Sequence, residues 1–249
     1  MKNFDYSGIP EGYYDKILKG HKGIRKFWHY HKFESVLRYI PDTLQGEGKS
    51  ILDIGCFAGS FLGMIPREIF PVQLGVDILP TQISYAEKTY GSEWRKFKAY
   101  DGSLDLDIQY KEKFHIITLI EVIEHLNGHQ IYELFHRINY LLHPEGRLIL
   151  TTPNYLSLWP LIEYIINHFS EVKYEEQHVT KFKYFTIESQ MSKLLNEFPL
   201  KLEKKTTTHF LTPFLAPASY ELSTNIARAV PSSSWKNPFG SIILSSWKR

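Results

Sequence analysis

Cysteine is almost missing from this chain of 249 residues. Cys56 stands alone, which excludes an intrachain disulfide and fits a reducing compartment. A dominant charge is missing as well. Lys and Arg number 29 against 27 Asp and Glu, a net charge of +2, so no strong field marks a nucleic-acid partner. No apolar run approaches the ~20 residues that a membrane-spanning helix needs. The opening "MKNFDYSGIPEGYY" lacks the apolar stretch of a secretory signal. A cytoplasmic protein without a transmembrane segment is expected. No internal repeat or low-complexity tract is present, and neither is the phosphate-binding signature G-x-x-x-x-G-K-[ST].

What is present is core-forming material. Hydrophobic residues make up 43% and aromatics 15%, more aromatics than a minimal core requires. Most read as packing; some suit a pocket for an apolar or planar substrate. The basic, aromatic-interrupted stretch "HKGIRKFWHYHK" reads as the solvated face of a helix.

Phe33, Val36, Leu37 and Ile40 recur at helical spacing before Pro41 and "QGEGK" break the pattern. From residue 50, strand and helix alternate. "SILDI" is a buried strand, "GSFLGMI" a helix stopped near Pro66, and "VQLGVD" a second strand. Pro80 opens a helix carrying Ile83 and Ala86. "WRKFKAY", "FHIITLI" and "GRLILTT" read as strands three to five. Ile131, Leu134, Phe135, Ile138, Leu141 and Leu142 form one helical stripe. Leu158, Leu161, Ile162, Ile165, Ile166 and Phe169 form another, and Ile187, Met191, Leu194 and Leu195 a last one. "LKLEKK" follows, then an irregular Pro-rich stretch from Thr206 to Asn237, then a strand in "GSIILSS". The alternation argues for an α/β fold with a parallel sheet covered on both faces. We expect a helical cap over residues 1–46 and a core over 47–249, with a lid in 206–239.

The stretch "ILDIGCFAGSFL" is a strand, a glycine turn and the start of a helix, where an open α/β sheet binds its ligand. Phe57 stands where the dinucleotide fingerprint has its second glycine, and Ser60 replaces the third. That glycine serves a pyrophosphate, so its loss argues against a dinucleotide. A phosphate-free adenosine ligand, S-adenosylmethionine, would not demand it. Asp77, closing "LGVD", is then the acid for the ribose hydroxyls, and Asp101 in "KAYDG" the partner of the adenine amino group.

The segments "ILDIGCFAGSFL", "LGVDI", "KAYDGS", "FHIITLIEVIEHL" and "LLHPEGRLILTTPN" resemble, in order, the motifs of class I S-adenosylmethionine-dependent methyltransferases. The likeness is to the group carrying E-V-I-E-H-L, which includes ubiquinone-biosynthesis, natural-product and glycolipid enzymes. The resemblance implies a Rossmann-like sheet of seven mostly parallel strands with an antiparallel last strand. It implies a cofactor set of Asp53, Gly55, Cys56, Phe57, Gly59, Asp77, Ile78, Asp101, Gly102 and Glu121. Phe57 departs from the family's usual glycine, and altered cofactor packing is expected there.

Methyl transfer from a sulfonium is an in-line displacement, for which a protein supplies alignment and a dry site. A hydroxyl acceptor also calls for a general base. Glu121, Glu124 and His125 fall on one face if a helical turn begins after the fourth strand, and His178 in "EEQHVTKF" can reach the same mouth. The catalytic candidates are His125, His178 and Glu121, with no metal assigned. Alternatively, Glu121, Glu124, His125 and His178 resemble the divalent-metal set of small-RNA 3′-end methyltransferases, or Glu124 and His125 orient the turn while His178 anchors a loop. Phe210, Leu211, Phe214, Leu215 and Tyr220, with Tyr13, Tyr14, Phe27 and Trp28, are candidate walls of an acceptor pocket. The expected function is O-methylation of a small-molecule, sugar or lipid-linked hydroxyl. A catalytically silent cofactor-binding partner is the alternative of another class.

Overall fold

The computed structural model describes residues 8–20, 23–100, 110–169, 178–194, 198–229 and 237–249. Its seven strands are β1 (Ser50–Ile54), β2 (Val72–Asp77), β3 (Arg95–Ala99), β4 (Phe114–Ile120), β5 (Leu142–Pro153), β6 (Lys201–Thr208) and β7 (Ile242–Lys248). They form one sheet in the order β3-β2-β1-β4-β5-β7-β6. Strands β1 to β5 pair in parallel, whereas β7 runs antiparallel to both β5 and β6. This is the expected fold class. The strand order reverses between β1 and β4, and a ligand crevice opens beyond the carboxyl ends of two such strands.

Nine helices are described: α1 (Tyr13–Lys19), α2 (Ile24–Tyr39), α3 (Ser60–Gly63), α4 (Pro80–Tyr90), α5 (Gly128–Leu141), α6 (Trp159–Phe169), α7 (Ile187–Leu194), α8 (Thr212–Leu215) and α9 (Tyr220–Ala229). The period of two along β1 sorts its side chains to the two faces. Leu52 and Ile54 join Ile117, Leu119, Phe135 and Ile138 in one buried cluster. Ile51 joins Ile116 and Ile149 with Val36, Phe61, Ile83 and Ala86 in the other. Helix α5 begins at a reciprocal cap, Asn127 accepting from the Gln130 backbone while the Gln130 side chain accepts from the Asn127 backbone.

Several sequence expectations are corrected. The helix after the first turn is four residues long, because Met64 already caps it and Pro66 follows. Leu142 closes no helical stripe; it caps α5 and starts β5. Around the start of α6, two leucines of the apolar stripe face outward. Leu158 and Leu161 are exposed while Trp159 and Glu163 are buried, since Glu163 has polar partners inside. Among its described residues the span from Thr206 is not irregular: β6 runs to Thr208, and α8 and α9 follow. From Ile24 on, the stretch read as a solvated helix face lies in α2, which buries Phe27, His31 and Lys32. Leu195 lies outside the described residues.

Candidate functional site

The turn between β1 and α3 is made by the backbone. Gly55 and Gly59 have φ of 79° and 74°, left-handed values that glycine adopts without steric cost. A Cβ on Gly55 would come within 2.5 Å of Val122 Cγ2, and one on Gly59 within 2.7 Å of Phe97 Cε1. Both glycines are therefore also demanded by packing. Phe57 has φ of 48°, so it holds the backbone shape a glycine would take, at a cost of about 1–2 kcal/mol. Its ring sits 5.1 Å from that of Tyr14 on α1, and its N–H donates to Asp77 Oδ2 at 2.8 Å. The turn survives the loss of the glycine, and the side chain serves as a contact for the N-terminal helix.

Asp77, at the end of β2, also accepts from Leu79 N–H at 3.0 Å through Oδ1. Each of its oxygens keeps a second lone pair for a ligand. Burial pushes the Asp77 carboxyl up, and the backbone N–H groups of Phe57, Leu79 and Ile78 pull against that. Ile78 is exposed beside it. Asp53 is buried and accepts from Thr118 Oγ1 at 2.6 Å. Burial, with the nearby Asp77 charge, pushes its carboxyl up to about 7 against the Thr118 hydrogen bond. Cys56 is buried in the same turn with its thiol pushed well up by burial, which keeps it inert. Asp101 and Gly102 lie outside the described residues.

Helix α1 is fastened over this turn by Asp15, which is fully buried. Its carboxylate accepts from Ser60 Oγ at 2.8 Å, from Tyr85 Oη at 2.7 Å and from Tyr90 Oη, and pairs with Lys19 at 2.9 Å. Burial alone would raise its pKa; these four donors outweigh burial and hold the carboxyl below its ordinary value. Gln82 adds bonds to the backbone of Gly12, Ile9 and Pro10.

Beyond β4 the polar groups arrive from distant parts of the chain. Glu121 does not share a helical turn with Glu124 and His125, as its spacing suggested. It has φ of 57°, and a 3₁₀ turn begins only at Ile123. Its Oε2 accepts from Lys32 Nζ on α2 at 2.9 Å, while Oε1 is buried without a hydrogen-bond partner. Burial pushes the Glu121 carboxyl up, but the Lys32 ammonium, helped by His178 and His209, brings it below its ordinary value. Glu124 is buried; Oε2 accepts from Thr152 at 3.1 Å and Oε1 has no partner. Burial and the Glu121 charge push its carboxyl well up.

One donor atom each from Glu124, His125 and His178 lie within 4.8 Å of one another. His178 Nδ1 is 2.7 Å from Glu163 Oε1, and Tyr155 Oη donates to the same oxygen at 2.8 Å. Burial alone would raise the Glu163 pKa, and the hydrogen bonds from His178 and Tyr155 reverse the shift. A buried carboxylate on Nδ1 fixes the imidazole's orientation and tautomer. Trp28, Trp159 and His209 form an aromatic wall nearby, with ring centroids of Trp28 at 5.5 Å from Trp159 and 4.6 Å from His209. His209 Nε2 lies 2.9 Å from the Trp28 carbonyl. Phe27 is core, Tyr220 packs on it at 5.6 Å, and Phe210, Leu211, Phe214 and Leu215 are exposed.

Sequence reasoning missed Lys32, Glu163, Tyr155 and Asp15. Lys32 was hidden in a charge run, and Glu163 in an apolar stripe. The one signal available for Glu163 was a carboxylate interrupting an otherwise apolar helix.

A family model described as a methyltransferase domain matches residues 27–204. Among curated proteins, a small RNA 2′-O-methyltransferase of Arabidopsis thaliana is 29% identical over 137 residues, which is 50% of this chain and 14% of that protein. A ubiquinone biosynthesis O-methyltransferase of Coxiella burnetii is 28% identical over 138 residues, 53% of this chain and 57% of that protein. The chain thus matches less than two thirds of the length of either relative. An S-adenosylmethionine-dependent methyltransferase from Mesorhizobium loti superposes with a TM-score of 0.62 at 14% identity, over 88% of this chain and 98% of that one.

Proposed function

The chain belongs to the methyltransferase-domain family, and we propose from that premise that it methylates a hydroxyl acceptor at the mouth bounded by α2, α6 and the end of β4. Its cofactor is S-adenosylmethionine. The residues present fit that group. Asp77 offers two half-satisfied oxygens at the end of β2, and Phe57 stands in the turn before α3 where a pyrophosphate site has its glycine. In this reading Asp77 takes the ribose hydroxyls, the turn from Gly55 to Gly59 holds the amino-acid end, and Asp101 the adenine. When bound, the cofactor supplies a methyl carbon activated by a positive sulfur.

The observation that carries the acceptor chemistry is the Tyr155–Glu163–His178 arrangement. With Nδ1 held by Glu163, His178 Nε2 is the acceptor for the hydroxyl proton as the oxygen forms its bond to carbon. Trp28, Trp159 and His209 exclude water from the reacting oxygen. Both curated relatives are named as O-methyltransferases, which supports oxygen as the acceptor atom. Residues 1–46 act as the cap and 206–239 as the acceptor-side wall, and a small-molecule, sugar or lipid-linked hydroxyl is the acceptor. Among the described residues, no helix is long and apolar enough to cross a membrane.

A second reading has a divalent cation at the same place. Glu124, His125 and His178 would hold it, their oxygen and imidazole donors suit Mg²⁺ or Mn²⁺, and Glu124 Oε1 is buried without a partner. The cation would lower the pKa of the acceptor hydroxyl. This is the reading in which the likeness to the small-RNA relative extends to the acceptor. Methyl transfer to a panel of hydroxyl acceptors, including an RNA with a free 3′-terminal ribose, is measured with EDTA and with Mn²⁺. Turnover of a small hydroxyl acceptor in EDTA supports the base reading. Turnover only with Mn²⁺ supports the cation, and transfer to amines alone overturns both.

A further inference from the structure

Lys32 is a lysine where burial disfavours one. It lies in the middle of α2 with 6% of its surface exposed, and an ammonium so placed is costly unless paired. Its partner is Glu121, 89 positions away in sequence, at 2.9 Å. Glu121 in turn has the left-handed backbone that a side-chain-bearing residue holds only when its surroundings fix it. The N–H of Glu121 donates to the Thr151 carbonyl at 3.2 Å, so its backbone and its carboxylate are both tied. The pair draws Glu121 toward α2. Glu121 is not among the groups whose ligand atoms converge within 4.8 Å; Glu124, His125 and His178 are. Within that set, Glu124 Oε1 is buried and unpartnered.

We propose that Lys32 is a positioning residue, the chain's own counter-cation at the β4 mouth, which holds Glu121 out of the Glu124–His125–His178 set, so that Lys32 and a divalent cation compete for the Glu121 carboxylate. The inference rests on the methyltransferase reading and its divalent-cation form. A tethered ammonium has a high effective concentration at its partner, and a free ion must displace it. Without Lys32, Glu121 becomes a half-buried anion with neither oxygen paired, beside a set one ligand short of four. The N-terminal helices then contribute a charge to the reaction site as well as cover.

The test is Mn²⁺ binding to the full chain by calorimetry, without turnover. Lys32→Met keeps the stem length and apolar packing and removes the charge. Mn²⁺ affinity is expected to rise about tenfold or more, the scale on which a neighbouring group tunes a metal site. Lys32→Arg should bind Mn²⁺ as wild type does, and the gain should vanish in Lys32→Met combined with Glu121→Gln. S-adenosylhomocysteine affinity should stay within threefold in Lys32→Met. Unchanged or weaker Mn²⁺ binding in Lys32→Met, or a gain that survives Glu121→Gln, overturns the proposal. If Lys32→Met does not fold, Glu121→Gln alone decides: a wild-type-like Mn²⁺ affinity supports the proposal, and a tenfold loss overturns it because Glu121 would then already be a ligand. Loss of S-adenosylhomocysteine binding in wild type would instead sink the cofactor reading, and the Mn²⁺ comparison would remain readable.

Discussion

Between β1 and α3 the site is built from neighbours in sequence, using backbone N–H groups and one acid from the adjacent strand. Beyond β4 it is built from α2, the 3₁₀ turn after β4, α6 and the segment at His178, which lie far apart in sequence. The first region tolerates change in a side chain because its shape is a backbone property; Phe57 occupies a glycine's conformation and the turn persists. The second has no such reserve. Glu124 and Glu163 are buried and Glu121 is half-buried, and each depends on a partner from another element, so one substitution leaves a charge or a polar oxygen without compensation.

The largest expected effect is on the β4 side. His178→Ala should lower methyl transfer by about 10²–10⁴-fold, the usual contribution of a general base, while S-adenosylhomocysteine binding measured by calorimetry stays as in wild type. Loss of both together would mean that the two regions are one, and the comparison would break. Asp15→Ala leaves the Ser60, Tyr85 and Tyr90 hydroxyls without their acceptor while the half-exposed Lys19 returns to water, so stability should fall by about 1–3 kcal/mol. Denaturant melts check that value, and hydrogen exchange should show α1 opening before β1.

Asp53 sharpens the comparison by pH. Its folded pKa, raised to about 7, lies above the unfolded value, so the native state binds more protons between the two. Its stabilising contribution is fully present below about pH 4, the unfolded range, and is lost as pH rises to about 7. Asp53→Asn should therefore gain melting temperature relative to wild type between pH 5 and pH 8; a difference flat with pH would contradict the shift. The smallest effect is expected for Phe57→Gly. Relief of about 1–2 kcal/mol of backbone strain is offset by the lost Tyr14 contact and by the extra freedom glycine has when unfolded. Stability measured by denaturant should change by less than about 1 kcal/mol.

The sheet was legible because its central strands are short apolar runs ended by glycine or acid, and α5 and α7 between and after them carry periodic apolar faces. The turn between β1 and α3 was legible for the same reason that it is tolerant: its two glycines and Phe57 lie in one contiguous stretch of sequence. The acceptor side was only half legible. His125 and His178 were recognisable as a pair, but nothing local in "HKGIRKFWHYHK" distinguishes Lys32, which is buried, from Lys26, which is not. That difference is created by where α2 packs. Glu163 was obscured because a carboxylate among apolar neighbours reads as facing solvent, whereas here it meets the buried His178 and the Tyr155 hydroxyl. The helices α8 and α9 were read as irregular because Pro213 and Pro217 suggested breaks; Pro213 instead sits within the first turn of α8, where proline is accommodated.

The central claim is that the β1 turn and Asp77 bind an S-adenosyl cofactor. Calorimetric titration of S-adenosylhomocysteine into wild type and Asp77→Ala tests it most directly. The account predicts micromolar binding by wild type, about −8 kcal/mol, weakened by about 1.5–3 kcal/mol in the variant through loss of buried hydrogen bonds to the ribose. Equal affinity in the two proteins, or no binding by wild type, would contradict it.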